Sequence, residues 1–154
     1  MGRLDTGSYA RGVAVAGTYA YVADAWHGVR VIDVSDPAHP YEVRRWDTPH
    51  FARGVAVDGG YLYVADSGTG LLVASLASPA APVQVGVYDS PGNAERVVVI
   101  GTRAYLADWS GGITGAPIGM NRCSWVKMIR SFVGRLRALA PMVPLPQINP
   151  SSQI

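Results

Sequence analysis

Residues 12–24 read GVAVAGTYAYVAD, and this stretch decides the fold because close copies of it follow at a fixed interval. Residues 54–66 read GVAVDGGYLYVAD, and residues 97–108 read VVVIGTRAYLAD. Equivalent positions in neighbouring copies are 42 residues apart, and the three copies align without a gap. Self-similarity at a fixed period of this length indicates a repeat architecture.

Each repeat predicts four short strands. In the first copy, β-branched, aromatic and alternating apolar residues predict strands at residues 11–15, 19–23, 29–34 and 41–46. A glycine-containing turn separates the first two strands, and the two prolines within residues 35–40 exclude a central strand there. Four strands in one unit of 42 residues are typical of a β-propeller blade, and residues 1–108 lack the apolar spacing of a helix.

The chain predicts too few blades for a closed ring. Residues 11–47 predict one blade, residues 52–89 a second, and residues 94–108 with Ile113 half of a third, while residues 1–5 resemble the last strand of a preceding blade. A closed propeller has about four to eight blades. We therefore expect an all-β, incomplete β-propeller. Either further blades of the same or another chain complete the ring, or the sequence is a fragment of a longer protein; we favour the fragment.

The sign of the charge changes after the repeats. Residues 1–108 hold eight Arg and all eleven acidic residues, for a net charge of −3, and residues 109–154 hold five basic residues and no acid, for +5. Together they give the +2 of the whole chain. This change predicts a boundary between a repeat domain at residues 1–113 and a basic, proline-rich tail at residues 114–154.

The tail has two interpretations. The abrupt loss of the repeat pattern in an acid-free segment favours a frameshifted end of the gene. In the alternative, Trp125, Ile129 and Phe132 lie on one face of a basic amphipathic helix within residues 121–140. We expect such a helix to cover an exposed blade rather than to contact a membrane.

Several motifs in the first two units resemble the LVIVD repeat. They are VIDVSDPAHP at residues 31–40, WDTP at residues 46–49, ARGVAV at residues 52–57 and YLYVAD at residues 61–66. The resemblance spans about residues 3–113, although ASLAS at residues 74–78 departs from it. It implies a β-propeller and, since many such proteins of bacteria and archaea are exported, an extracellular or cell-surface location. The start of the chain shows no signal-peptide pattern, and the family brings no shared catalytic motif.

Carboxylates recur at one position of every unit. Asp24, Asp66 and Asp108 each follow the second predicted strand. A residue needed once for catalysis has no reason to appear three times, whereas a carboxylate after a strand accepts hydrogen bonds from backbone amides of the following loop. We therefore predict a structural role for all three.

A second recurring set is basic. Arg11 and Arg53 precede the innermost strands, Arg96 lies beside the equivalent position in the third unit, and His50 is close in sequence to Arg53. If these strands line a central channel, the four side chains form a weak candidate for an anion-binding site at its mouth. The competing interpretation is a salt bridge between neighbouring blades, formed with one of the recurring aspartates.

The function predicted from these patterns is a non-enzymatic scaffold that binds a protein or surface ligand. No nucleophile, phosphate-binding or dinucleotide motif is present, no cofactor is predicted, and one cysteine, Cys123, excludes an intramolecular disulfide or a Cys-based zinc cluster. The acidic repeat region argues against a nucleic-acid partner. The alternative is a propeller enzyme with a hydrolase or metal site at the channel mouth.

Overall fold

The computed structural model describes residues 2–118, which form three antiparallel sheets joined by loops and one 3-10 turn at Trp109–Gly111. Sheet one contains β1 Gly12–Ala16, β2 Tyr19–Ala23, β3 Val29–Asp33 and β4 Tyr41–Trp46. Sheet two contains β5 Ala52–Asp58, β6 Tyr61–Asp66, β7 Gly70–Ser75 and β8 Val83–Tyr88. Sheet three contains β9 Arg96–Ile100, β10 Arg103–Ala107 and β11 Ile113–Pro117. The prediction of an all-β repeat protein is confirmed.

Each sheet is a meander in which neighbouring strands in sequence pair with each other. The first hairpin of every sheet closes over two residues, and its first turn residue is a glycine with positive φ: Gly17, Gly59 and Gly101. Such turns match the right-handed twist of paired strands. The strands therefore begin and end within one residue of the positions predicted in the first repeat.

The glycine that recurs before the third strand also has a structural reason. Gly28 and Gly70 adopt φ of 66° and 96°, a region that other residues rarely adopt. A Cβ at Gly28 would lie 2.3 Å from the Trp46 carbonyl oxygen, and one at Gly70 would lie 2.4 Å from the Tyr88 carbonyl oxygen. The end of the outermost strand thus passes over this turn, which excludes a side chain.

The sheets pack face to face through two apolar layers. Tyr21, Val29 and Val31 of sheet one pack against Leu62, Val64 and Leu72 of sheet two. Tyr63, Leu71 and Val73, on the opposite face of sheet two, pack against Val97, Leu106 and Ala116 of sheet three. Every strand of sheet two is therefore covered on both faces, which explains why β6 and β7 are almost continuously apolar.

The innermost strands β1, β5 and β9 lie side by side. A Cβ at Gly12 would lie 3.3 Å from the Gly54 Cα, and a Cβ at Gly54 would lie 3.0 Å from the Arg96 Cα. This close approach at equivalent positions shows that one step relates sheet one to sheet two and sheet two to sheet three. The arrangement is propeller-like and incomplete.

Two predicted ends differ from the structure. The third unit was predicted to stop after two strands and Ile113, but β11 extends to Pro117 and pairs along its length with β10. Its sequence, ITGAP, has no strand signature of its own, and pairing together with complete burial of Ala116 holds it in place. The predicted boundary at residue 113 therefore falls at the start of a strand.

At the other end, residues 2–5 are not a strand. The Gly2 amide donates to the Pro37 carbonyl oxygen (3.2 Å), and Leu4 packs against the buried Ala20 and Val22 of sheet one. The tail helix at residues 121–140 and Cys123 lie outside the described residues. Within residues 2–118, no helix has the length and apolar character needed to cross a membrane.

Candidate functional site

The three recurring aspartates lie at one edge of the assembly, where the second strand of each sheet turns toward the third. We call this the loop edge; it comprises residues 24–28, 66–69 and 108–112 with the incoming connections at residues 5–10, 47–51 and 89–94. Asp24, Asp66 and Asp108 are all fully buried there. A buried carboxylate is costly unless hydrogen bonds satisfy it, so its partners determine what each site can do.

The Asp24 site is densely paired. Its Oδ1 accepts from the Thr6 hydroxyl (2.9 Å), and its Oδ2 accepts from Arg30 Nε (2.6 Å). Arg30 also binds Glu42 and the Thr6 carbonyl oxygen, and the His27 Nδ1 lies 3.4 Å from Asp24 Oδ2. The incoming connection, the strand β3 and the strand β4 are therefore joined through one guanidinium and one carboxylate.

The Asp108 site uses neutral donors at equivalent positions. Ser90, which corresponds to Thr6, donates its hydroxyl to Oδ1 (2.9 Å), and the Gly92 amide donates to Oδ2 (3.0 Å). Thr114, which corresponds to Arg30, lies 3.4 Å from Oδ2 through its hydroxyl. Both carboxylate oxygens are thus satisfied from the incoming connection and from β11.

The Asp66 site lacks both of these side-chain donors. Thr48, in the position of Thr6 and Ser90, donates to the His50 carbonyl oxygen instead (2.9 Å), and Leu72 stands in the position of Arg30 and Thr114. The His50 amide donates to Oδ2 (3.1 Å), while Oδ1 has no hydrogen-bond partner within the described part of the chain.

Burial raises the pKa of Asp66 above the ordinary value of an aspartic acid. The amides of His50 and Gly68, the Thr69 hydroxyl and the charge of a protonated His50 favour the ionised form and reduce this rise without cancelling it. The carboxylate of sheet two is therefore the one that burial pushes toward its protonated form.

These sites support the structural role predicted for the aspartates but correct the direction of the bonds. We predicted donors in the following loop, whereas the bonds to Thr6, His50, Ser90 and Gly92 all come from the preceding connection. Each carboxylate therefore anchors the segment that brings the chain in from the preceding sheet.

The four basic candidates do not form one cluster of contacts. Arg53 Nη1 binds Glu95 Oε1 at 2.6 Å, which joins equivalent positions of sheets two and three. The interpretation as a salt bridge between sheets thus holds for Arg53, with Glu95 rather than a recurring aspartate as its partner. Arg11 and Arg96 are exposed and form no salt bridge within residues 2–118.

His50 is held mainly by its backbone and by packing. Its amide binds Asp66, and its ring lies over Gly68, where an added Cβ would be 1.7 Å from the His50 Cδ2. The ring itself is part of the exposed loop edge. Within the described residues, no three His, Cys, Asp or Glu side chains are grouped as metal ligands.

Exposed aromatic residues at the loop edge were not selected from the sequence. Trp26 is 72% exposed and its ring meets Phe51 edge to face, with centroids 3.7 Å apart, while Trp109 is 73% exposed. Ala25 and Trp109, at equivalent positions, adopt positive φ of 47° and 29°. Trp26 and Trp109 each occur in one repeat alone, and that departure from the repeat pattern is the signal that could have identified them.

Comparisons with known proteins agree with the repeat reading. The family model of the LVIVD repeat matches residues 7–48, 51–90 and 91–114. No curated protein matches the chain. Among solved structures, the crystal structure of the computationally designed Ika4 protein aligns with 77% of this chain and 100% of its own, at 10% sequence identity and a TM-score of 0.43.

Proposed function

Because the chain belongs to the LVIVD repeat family, we propose that it is a non-enzymatic β-propeller module whose loop edge binds a protein or surface ligand. The observation that carries the proposal is the use of the three buried carboxylates. Those of Asp24 and Asp108 are occupied by structural donors, and all three anchor incoming connections at the loop edge. The carboxylates thus serve to hold loops in position.

The anchored loops present side chains suited to recognition. Trp26 and Phe51 form an exposed aromatic pair, and Trp109 is exposed at the same edge of sheet three. Aromatic and arginine side chains are enriched at protein interfaces because they bury large areas with little loss of conformational freedom. Arg11 and Arg96 would add cationic contacts for an acidic partner, while Arg53 is already held by Glu95.

The proposal includes a location and an assembly. The resemblance to a repeat found in exported proteins supports a surface or extracellular location, which fractionation of the producing cell would test. The three sheets form an arc, and further blades of the same or another chain would complete a ring of four to eight.

A combined activity and binding experiment tests the non-enzymatic role. The full chain is assayed with chromogenic ester, phosphate and glycoside substrates, its metal content is measured, and inorganic phosphate is titrated as an anion probe. We expect no turnover and no stoichiometric metal. Turnover that is lost in His50→Ala and kept in His39→Ala, an equivalent change at a loop histidine whose side chain is 82% exposed, would overturn the proposal in favour of a channel-mouth hydrolase.

A further inference from the structure

One face of sheet three exposes positions that the other two sheets bury. Tyr21 is fully buried against sheet two and Tyr63 is 4% exposed against sheet three, whereas the equivalent Tyr105 is 37% exposed. Val98 and Ile100, on the same face, are 55% and 66% exposed. Apolar positions of this kind, adjacent on one sheet face, mark an interaction surface.

Ile113 makes the same point most strongly. Its equivalents Val29 and Leu71 are completely buried between sheets, and Ile113 is 83% exposed. The strand that carries it, β11, is also an edge strand whose outer side pairs with no strand among the described residues. The outward face of sheet three therefore has the composition of a sheet-to-sheet interface without a described partner.

Sheet one has the complementary face. Val13 and Val15 of β1 are 63% and 60% exposed, whereas Val97 and Val99 at equivalent positions of β9 pack against sheet two. Sheet one thus presents to solvent the surface through which sheet three is docked onto its neighbour. The two ends of the arc are suited to each other.

The charges and hydrogen-bonding groups at the two ends also match. The step from sheet two to sheet three places Arg53 against Glu95. The same step taken from sheet three to sheet one of another copy places Glu95 against Arg11, which is again an opposite pair. It also brings the Tyr105 hydroxyl to the Pro37 carbonyl, as Tyr21 donates to the Pro79 carbonyl oxygen at 2.9 Å.

We propose that two copies of this chain join head to tail, sheet three of each docking on sheet one of the other, to close a six-bladed ring. Two copies supply six sheets, within the four to eight of a closed propeller, and three copies would supply nine. The inference rests on the ring architecture proposed above. It does not depend on the proposed binding role, because it is tested by mass rather than by ligand or turnover.

Arg96 sets the strength of this interface. It occupies the position of Gly12 and Gly54, where an added Cβ lies 3.0 to 3.3 Å from the Cα of the next inner strand. An arginine there requires the neighbouring strand to shift, so the closing interfaces are weaker than the internal ones. The ring therefore dissociates on dilution, and Arg96→Gly lowers its dissociation constant.

Sedimentation of the full chain tests the ring. We expect a mass that rises with concentration toward twice the 16.3 kDa of one chain. Ile113→Arg abolishes the dimer, while the control Val83→Arg, at a residue 63% exposed on the outer strand β8, keeps it. Arg11→Glu raises the dissociation constant about tenfold by opposing Glu95. The triple variant Arg11→Glu, Arg53→Glu, Glu95→Arg inverts every pair and restores the dimer.

A photo-crosslink identifies what covers the face. With benzoyl-phenylalanine at position 105 of the full chain, the proposal predicts a product of doubled mass whose second attachment lies in sheet one. A monomeric mass at every concentration, or a dimer indifferent to both Ile113→Arg and Arg11→Glu, overturns it. A crosslink from position 105 to residues 119–154 of the same chain also overturns it, because the face then belongs to the chain's own C-terminal segment.

Discussion

The Asp24 and Asp66 sites lie 42 residues apart at the same place in consecutive sheets, yet only one is fully paired. Asp24 accepts from Thr6 and from Arg30, whereas Asp66 retains the His50 amide and has a leucine, Leu72, in the place of the arginine. The backbone of the repeat thus fixes where the carboxylate lies, and individual side chains decide whether it is satisfied. Equivalent positions in a repeat protein are equivalent in geometry before they are equivalent in chemistry.

The largest effect is expected at the paired site. Asp24→Asn lowers the free energy of unfolding at pH 7 by about 3 kcal/mol, because the Arg30 side chain, only 13% exposed, loses its buried counter-ion. Urea unfolding followed by tryptophan fluorescence measures this. Asp36→Asn, at a carboxylate that is 60% exposed, serves as the control and should change little. Equal losses in the two variants would contradict the account of the Asp24 site.

Removal of one hydroxyl at equivalent positions sharpens the comparison. Ser90→Ala lowers stability by about 2 kcal/mol, since the buried Asp108 carboxylate loses a donor. Thr48→Ala costs less than about 0.5 kcal/mol, because its exposed hydroxyl does not reach Asp66. The same urea titration on both variants decides the matter, and a large loss for Thr48→Ala would show that Asp66 is paired like its equivalents.

The pH dependence of Asp66→Asn tests the unpaired site. Because the folded state raises the pKa of Asp66, the folded protein holds this proton more tightly than the unfolded chain. The parent loses that contribution as pH rises from the ordinary aspartic-acid range through the raised pKa, and the asparagine variant does not. The stability of the variant relative to the parent should therefore rise between pH 4 and pH 7 in thermal melts. A relative stability that falls over this range would mean that the pKa is lowered.

The smallest effect concerns the salt bridge between sheets two and three. Arg53→Gln costs about 0.5 kcal/mol at low salt, because both partners are partly exposed, and 1 M NaCl should remove most of the difference. Arg11→Gln is the matched control, measured at concentrations where the chain is monomeric. A salt-independent loss for Arg53→Gln would point to packing rather than charge.

The sequence was most informative where a single strand or turn carries its own signal. Apolar alternation and turn glycines located β1–β8 to within one residue, and the periodicity indicated equivalent sheets. It failed at β11, whose ITGAP sequence becomes a strand only by pairing with β10. A contact made through another strand leaves no local pattern.

The candidate site was only partly predictable for the same reason. Recurrence separated the structural aspartates from the rest, but their donors lie 16 to 18 residues upstream, at Thr6, His50, Ser90 and Gly92, a pairing that depends on how the sheets follow one another. The choice of Glu95 as the partner of Arg53 likewise depends on the step between sheets. Trp26 and Trp109 were passed over because attention to repeated residues hides unrepeated ones.

The central claim is that the three repeats form separate sheets whose inner strands lie side by side around one axis. Nuclear Overhauser contacts between the α-protons of Gly12 and Gly54, and of Gly54 and Arg96, measure this directly in the labelled chain. The account predicts both contacts, since an added Cβ at each glycine lies 3.0 to 3.3 Å from the neighbouring Cα. Absence of both contacts, together with hydrogen bonds that join β4 to β5 in one continuous sheet, would contradict it.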